Sequence, residues 1–142
     1  MLKNTEFTNK LRSSGLRPTK QRLKICEVLF NRDHTFHFTI NDLAKNISEE
    51  LNERISLATV YNTVHAFKKK GYLKEISINS DKSYFDTNTT NHHHFFDEDT
   101  NELIDCDDGI IETPKIKKNI SGKKINSVEV LVRVASDNQN QK

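Results

Sequence analysis

His92, His93 and His94 stand in a row, followed after Phe95 and Phe96 by Asp97, Glu98 and Asp99, in a chain with six histidines in all. Imidazole nitrogens beside carboxylate oxygens form the donor set that holds first-row divalent metals. In an extended segment side chains alternate, so His92 and His94 share one face and His93 takes the other. A His-x-His pair on one face is a metal clamp that needs further ligands from elsewhere in the chain. A small hydrolase built on this cluster with Asp97 or Glu98 would need a substrate pocket. Nothing glycine-rich or nucleophilic accompanies the tract, so an enzyme is not expected. The tract reads as a sensor.

The 142 residues suffice for one domain or two small ones. With 34% hydrophobic and 30% charged residues the core must be thin, which suits a core shared across a homodimer. The net charge of +2 conceals an asymmetry. Residues 1–86 carry 15 Lys and Arg against 10 Asp and Glu, whereas residues 87–142 carry 7 against 10. A basic front and an acidic back suggest a polyanion as partner for the first and cations for the second. No apolar run approaches the roughly 18 residues of a membrane helix, and the amino terminus lacks a signal-peptide apolar segment. Cys26 and Cys106 have no CxxC spacing, so both are expected as reduced thiols in a cytoplasmic protein.

The elements that must position these groups follow from periodicity and caps. Thr5 to Ser14 fits a short helix that stops at Gly15, and Pro18 opens a second helix with Leu23, Cys26, Val28, Leu29 and Phe30 as its apolar positions. Thr39 with Asp42 three residues on predicts a capped helix through about Leu51. Ser56 caps a fourth helix, whose apolar positions are Leu57, Val60, Tyr61, Val64 and Phe67 and which closes with Lys68-Lys69-Lys70 and Gly71. Tyr72 to Ile78 and Ser83 to Asp86 flank a polar turn and predict a β-hairpin. Helices followed by a hairpin make a winged helix-turn-helix over residues 1–86.

Thr87 to Asn91 is all Thr and Asn, a hinge composition. Residues 92–142 then read as a small α/β dimerisation domain, giving an α+β chain overall. Its strands are expected at His94 to Phe96, Glu102 to Cys106 and Ser127 to Val134, with a disordered tail from about residue 135. Residues 107–126 leave room for one short helix at most.

The fourth helix presents Thr59, Tyr61, Asn62, Thr63 and His65, groups able to meet base edges in a major groove. Arg17, Lys20, Lys68 and Lys69 are candidates to hold phosphates. Thr59, Tyr61 and Asn62 are the candidate base readers, and double-stranded DNA is the expected partner.

Gly15-Leu16-Arg17-Pro18-Thr19 with Gln21-Arg22 resembles the amino-terminal signature of the ferric uptake regulator family, and Leu57-Ala58-Thr59-Val60-Tyr61-Asn62-Thr63-Val64 resembles its recognition helix. The similarity runs from about Leu11 through Val134. It implies a homodimeric winged-helix repressor of iron homeostasis genes, acting on a pseudo-palindromic, AT-rich operator with an affinity set by metal. It also implies a regulatory site of His37, Asp86, His92, His94 and Asp105 for Fe(II), Mn(II) or Zn(II). The family's structural zinc uses CxxC pairs, but Asp97 and Thr100 stand at the first pair and the second is absent, so no four-thiolate zinc is expected. A further family site would use His93 and Glu112, with Ser127 where its distal histidine belongs. The His-His-His-Phe-Phe tract and the missing cysteine pairs look most like the iron response regulator branch, which implies haem as a further candidate ligand of His92, His93 or His94. A peroxide sensor of the same family, and a winged-helix regulator with no physiological metal, are the competing readings.

Overall fold

The computed structural model describes residues 4–137 and divides into two compact units, Met1–Thr89 and Thr90–Lys142. The first contains α1 (Asn4–Ser13), α2 (Lys20–Phe30), β1 (His37–Phe38), α3 (Ile40–Leu51), α4 (Leu57–Lys69), β2 (Lys74–Ser77) and β3 (Ser83–Asp86). The second contains β4 (His94–Asp97), β5 (Glu102–Asp105) and β6 (Leu131–Val134). Helices confined to the first unit, with mostly antiparallel strands in both, give the α+β class.

The helices of the first unit start where short polar side chains can satisfy free backbone N–H groups. Thr19 accepts from the Arg22 amide, so α2 begins after Thr19 and Pro18 lies just outside it, not at its opening as periodicity suggested. Thr39 and Asp42 form a reciprocal capping box on α3. Ser56 accepts from the Thr59 amide at the start of α4. Gly71, at φ 83°, ends α4 in a left-handed conformation that side chains avoid, and the Tyr72 amide turns back to the Phe67 carbonyl. Phe7 and Leu11 of α1, Ile25 and Leu29 of α2, Leu43 and Ile47 of α3, and Val60, Val64 and Phe67 of α4 close one core with Phe38 and Phe85.

The wing has three strands in the order β1-β3-β2. The hairpin of β2 and β3 matches expectation; the short β1 is an addition. It pairs His37 with Asp86 and Phe38 with Phe85, and its two residues are too few for any periodicity to announce.

In the second unit the order is β5-β4-β6. β4 and β5 form the expected hairpin, with His94 opposite Asp105. β6 runs parallel to β4 and is shorter than the alternation from Ser127 predicts, because only Leu131 to Val134 find ladder partners. Residues 107–130 form turns and coil. The β4–β5 turn is closed by Asp97, whose Oδ1 accepts from the Asp99 and Thr100 amides. Asp99 in turn accepts from the Ser136 amide, tethering the chain after β6 to this turn. Of the tail expected to be disordered, residues 135–137 are coil and residues 138–142 lie outside the described residues.

Hydrogen bonding from Ser136 holds the Asp99 carboxyl below the usual aspartate range. A depressed carboxyl stabilises the structure above its unfolded pKa and ceases to as pH falls through the folded one. The Ser136 amide resonance should therefore stay constant from neutral pH down through the usual aspartate range and move only below it. It should show no such inflection in Asp99→Ala. Identical titration curves for the two proteins would disprove the tether.

Candidate metal centre and DNA-reading face

In the second unit, alternation along the strand sends His92 and His94 to one side, their ring centroids 4.2 Å apart. Register brings Asp105 opposite His94. Asp105 Oδ1 lies 3.0 Å from His92 Nε2 and 3.1 Å from His94 Nε2. His92 Nδ1 is 2.7 Å from the Thr90 carbonyl, which can only accept, so Nδ1 carries the hydrogen. In the neutral ring Nε2 then turns a lone pair toward an anionic oxygen. That contact is repulsive unless a cation, either a proton or a metal, lies between them. A carbonyl fixing the far nitrogen of an imidazole is also how metal-ligating histidines are oriented. His94 is 3% exposed, whereas the Asp105 side chain is partly exposed.

The first unit supplies a matching pair. His37 on β1 faces Asp86 on β3, with Nε2 3.0 Å from Oδ2. Asp86 is fully buried, and its other oxygen accepts from the Asn88 amide. Lys74 is its register partner on the other side, and burial pushes that ammonium's pKa down while the Asp86 charge opposes the shift. Each unit therefore holds imidazole nitrogen against carboxylate oxygen, a donor set that fits a borderline divalent ion such as Fe(II), Mn(II) or Zn(II).

His93 is engaged otherwise. Its Nδ1 accepts from the Val130 amide at 2.9 Å, which leaves Nε2–H to donate to Thr113 Oγ1 at 3.0 Å. Both ring nitrogens are committed to holding the approach to β6. Among the described residues, no metal-competent group contains His93 or Glu112. The thiols are not ligands either. Burial pushes Cys26 up to about 12, the state of an inert thiol, and Cys106 points at the Asp107 carbonyl.

On α4 the buried side is Val60, Thr63, Val64 and Phe67. Leu57 and Tyr61, read from spacing as apolar positions of the same helix, are each 52% exposed. They face outward because Thr63, not Tyr61, completes the inner face. Beside them Arg17, Thr19, Arg22, Thr59, Asn62 and Thr63 line a groove of about 330 Å³. Three of the expected contact residues, Arg17, Thr59 and Asn62, meet there. Arg22, which sequence reasoning did not single out, lines the same groove; it sits one turn into α2 from Thr19 and donates to the Arg17 carbonyl. Lys20 and Lys69 are exposed outside the groove. Lys68 pairs with Glu75 of the wing, and this hydrogen bond is the main reason that the Glu75 carboxyl lies below its ordinary value.

Residues 13–133 match the model of the Ferric uptake regulator family. The chain is 37% identical over 95 residues to the peroxide-responsive repressor PerR of Staphylococcus aureus, an alignment taking in 67% of this chain and 62% of that protein. The chain thus spans less than two thirds of the length of the curated relatives it matches. In fold it resembles the Vibrio cholerae ferric uptake regulator, with TM-score 0.71 and 24% identity over 92% of this chain and 99% of that one. It also resembles the Pseudomonas aeruginosa ferric uptake regulator solved with manganese, with TM-score 0.68 and 25% identity over 91% and 96%. Proteins of this family are metal-responsive transcription regulators, not enzymes, and bind DNA as dimers. Among the described residues no helix is long and apolar enough to cross a membrane.

If His92 and Asp105 are metal ligands, His92→Ala and Asp105→Asn should each weaken Mn(II) uptake by the full-length protein at least about tenfold, roughly 1.4 kcal/mol. His93→Gln and Glu112→Gln should bind as the parent does. Equilibrium dialysis reads the difference. Equal uptake by parent and His92→Ala would remove His92 from the site.

Proposed function

Because the chain belongs to the Ferric uptake regulator family, we propose that it is an iron-responsive DNA-binding regulator in which His37 and Asp86 from one unit, with His92, His94 and Asp105 from the other, hold one divalent ion. The observation that carries this reading is Asp105 Oδ1 facing two imidazole Nε2 atoms, one of them with its tautomer fixed by Thr90. When bound, the ion would supply positive charge between these carboxylates and imidazoles. With all five ligands engaged, residues 89–91 would lose their freedom and the angle between the units would be fixed. In a dimer, that angle sets the separation of the two copies of α4, which must enter successive major grooves about one helical turn apart. With the ligands disengaged, many separations are populated and operator affinity falls by the fraction that is competent.

Arg17, Arg22, Lys20 and Lys69 would hold phosphates, while Thr59, Tyr61 and Asn62 meet the base edges of an AT-rich, pseudo-palindromic site. Lys68 joins the phosphate contacts only by leaving Glu75. Iron homeostasis genes are the proposed targets and the cytoplasm the proposed location. A simple divalent ion is better supported than haem, because both nitrogens of His93 are engaged and His92 and His94 are turned to Asp105.

One observation favours a second reading, regulation by peroxide: the 37% identity to a peroxide-responsive repressor. In that case His37 or His92 would gain the mass of one oxygen atom when the Fe(II)-loaded protein meets hydrogen peroxide.

Titrating Fe(II), Mn(II), Zn(II) and haem into metal-free protein, while measuring affinity for a selected operator, tests the proposal. Divalent ions should change operator affinity by at least about fivefold, the lower end of typical coupling. The double variant His92→Ala/His94→Ala should lose that response and retain salt-dependent binding to random DNA. A double variant that responds to metal like its parent would refute the shared site.

A further inference from the structure

Tyr61 sits on the outward face of α4, half exposed, yet its ring is not free. The His65 imidazole, one turn further along the same helix, packs on it with centroids 4.2 Å apart at 46°. His65 is itself braced. Its other contact is the edge-on ring of Phe85 at 5.6 Å and 87°. Phe85 is 2% exposed and stacks on the buried Phe38 at 5.8 Å. The series runs from an exposed aromatic on the reading helix, through one imidazole, into the rigid aromatic centre of the wing. Leu57 lies one turn before Tyr61 and is also exposed, so the outer face of α4 carries an apolar pair flanked by polar Thr59 and Asn62.

An exposed tyrosine ring normally samples several rotamers, and fixing a side chain at an interface costs about 0.5–1.5 kcal/mol. A ring already held against a braced neighbour has lost most of that freedom before binding. In a major groove, apolar side chains recognise thymine through its C5 methyl group, a contact that requires the ring to arrive in one place.

We propose that His65 is a positioning residue that holds the Tyr61 ring in place to read a thymine methyl, and so sets sequence discrimination without itself touching DNA. This rests on the assignment of α4 as the base reader. The imidazole acts through its flat ring, which lies tilted against Tyr61 and makes a T-shaped contact with Phe85. An alkyl side chain of similar size offers no such plane.

The test uses the full-length protein loaded with Mn(II) and a duplex selected by it from a randomised pool. Each thymine is replaced in turn by deoxyuridine, which lacks only the C5 methyl group. The parent should lose affinity at one or more positions, and Tyr61→Ala should abolish that loss. His65→Ala and His65→Leu should each shrink the thymine-over-uracil preference by about 2- to 10-fold, with Mn(II) uptake and affinity for random DNA as in the parent. His65→Phe should restore it. His65→Leu keeps the test valid if the alanine variant folds poorly. Retention of the full preference by His65→Leu, with Tyr61→Ala having lost it, would overturn the positioning role and leave base reading by Tyr61 standing. A preference unaffected by Tyr61→Ala would overturn both.

Discussion

A carboxylate that water cannot reach must find its counter-charges inside the protein. Asp86 is in that position, fully buried at the end of the central wing strand. The arrangement around it follows from this need. His37 is brought opposite it by a strand only two residues long, and the Asn88 amide caps the other oxygen. Thr87 fastens the strand end to Phe36 through both its amide and its hydroxyl. In the second unit the Asp105 side chain is partly exposed, and two imidazoles face one of its oxygens. Each unit by itself thus sets imidazole nitrogen against carboxylate oxygen.

Local signals in the sequence were sufficient wherever local chemistry decides the structure. Thr39 with Asp42, Ser56, and the polar turn before Ser83 each fix a boundary within a few residues, and the helices and hairpin lie where these place them. The separation of His92 and His94 from His93 was legible for the same reason: a period of two is a property of the backbone. What stayed hidden depended on distant partners. β1 exists only because β3 offers it a ladder, and β6 is short because β4 is short. Tyr61 and Leu57 have the spacing of a core stripe, but Thr63 fills the inner position, its hydroxyl notwithstanding. The commitment of His93 to Val130 and Thr113 joins residues up to 37 positions apart, which no spacing rule reports.

The charge asymmetry of the chain resolves into different arrangements of its basic groups. Arg17 and Arg22 are gathered into a groove with Thr59 and Asn62, and Arg22 is held by the Arg17 carbonyl. Lys68 is instead drawn to Glu75 on the wing. A guanidinium already anchored loses little freedom when it meets a phosphate, whereas a lysine in an ion pair must give one up. On the proposed reading, orientation on DNA would therefore be better served by the start of α2 than by the lysine run at the end of α4. That run has a second task, since cations there suit the negative end of the helix dipole.

The β4–β5 turn separates two roles that a metal can take. Where the family resemblance implies a thiolate, Asp97 closes the turn with its own carboxylate, and Asp99 fastens the chain beyond β6 to the same turn. Two carboxylates thus make, by hydrogen bonds, the connection between turn and carboxyl-terminal segment that a zinc ion would make by coordination. A structural zinc couples folding to metal, so its removal unfolds the domain. Here hydrogen bonds to Asp97 and Asp99 close the second unit's turn. On the proposed reading, metal at His92, His94 and Asp105 could come and go while the hairpin that presents His94 and Asp105 stays formed. A regulatory site needs that property: occupancy has to vary without loss of the site itself.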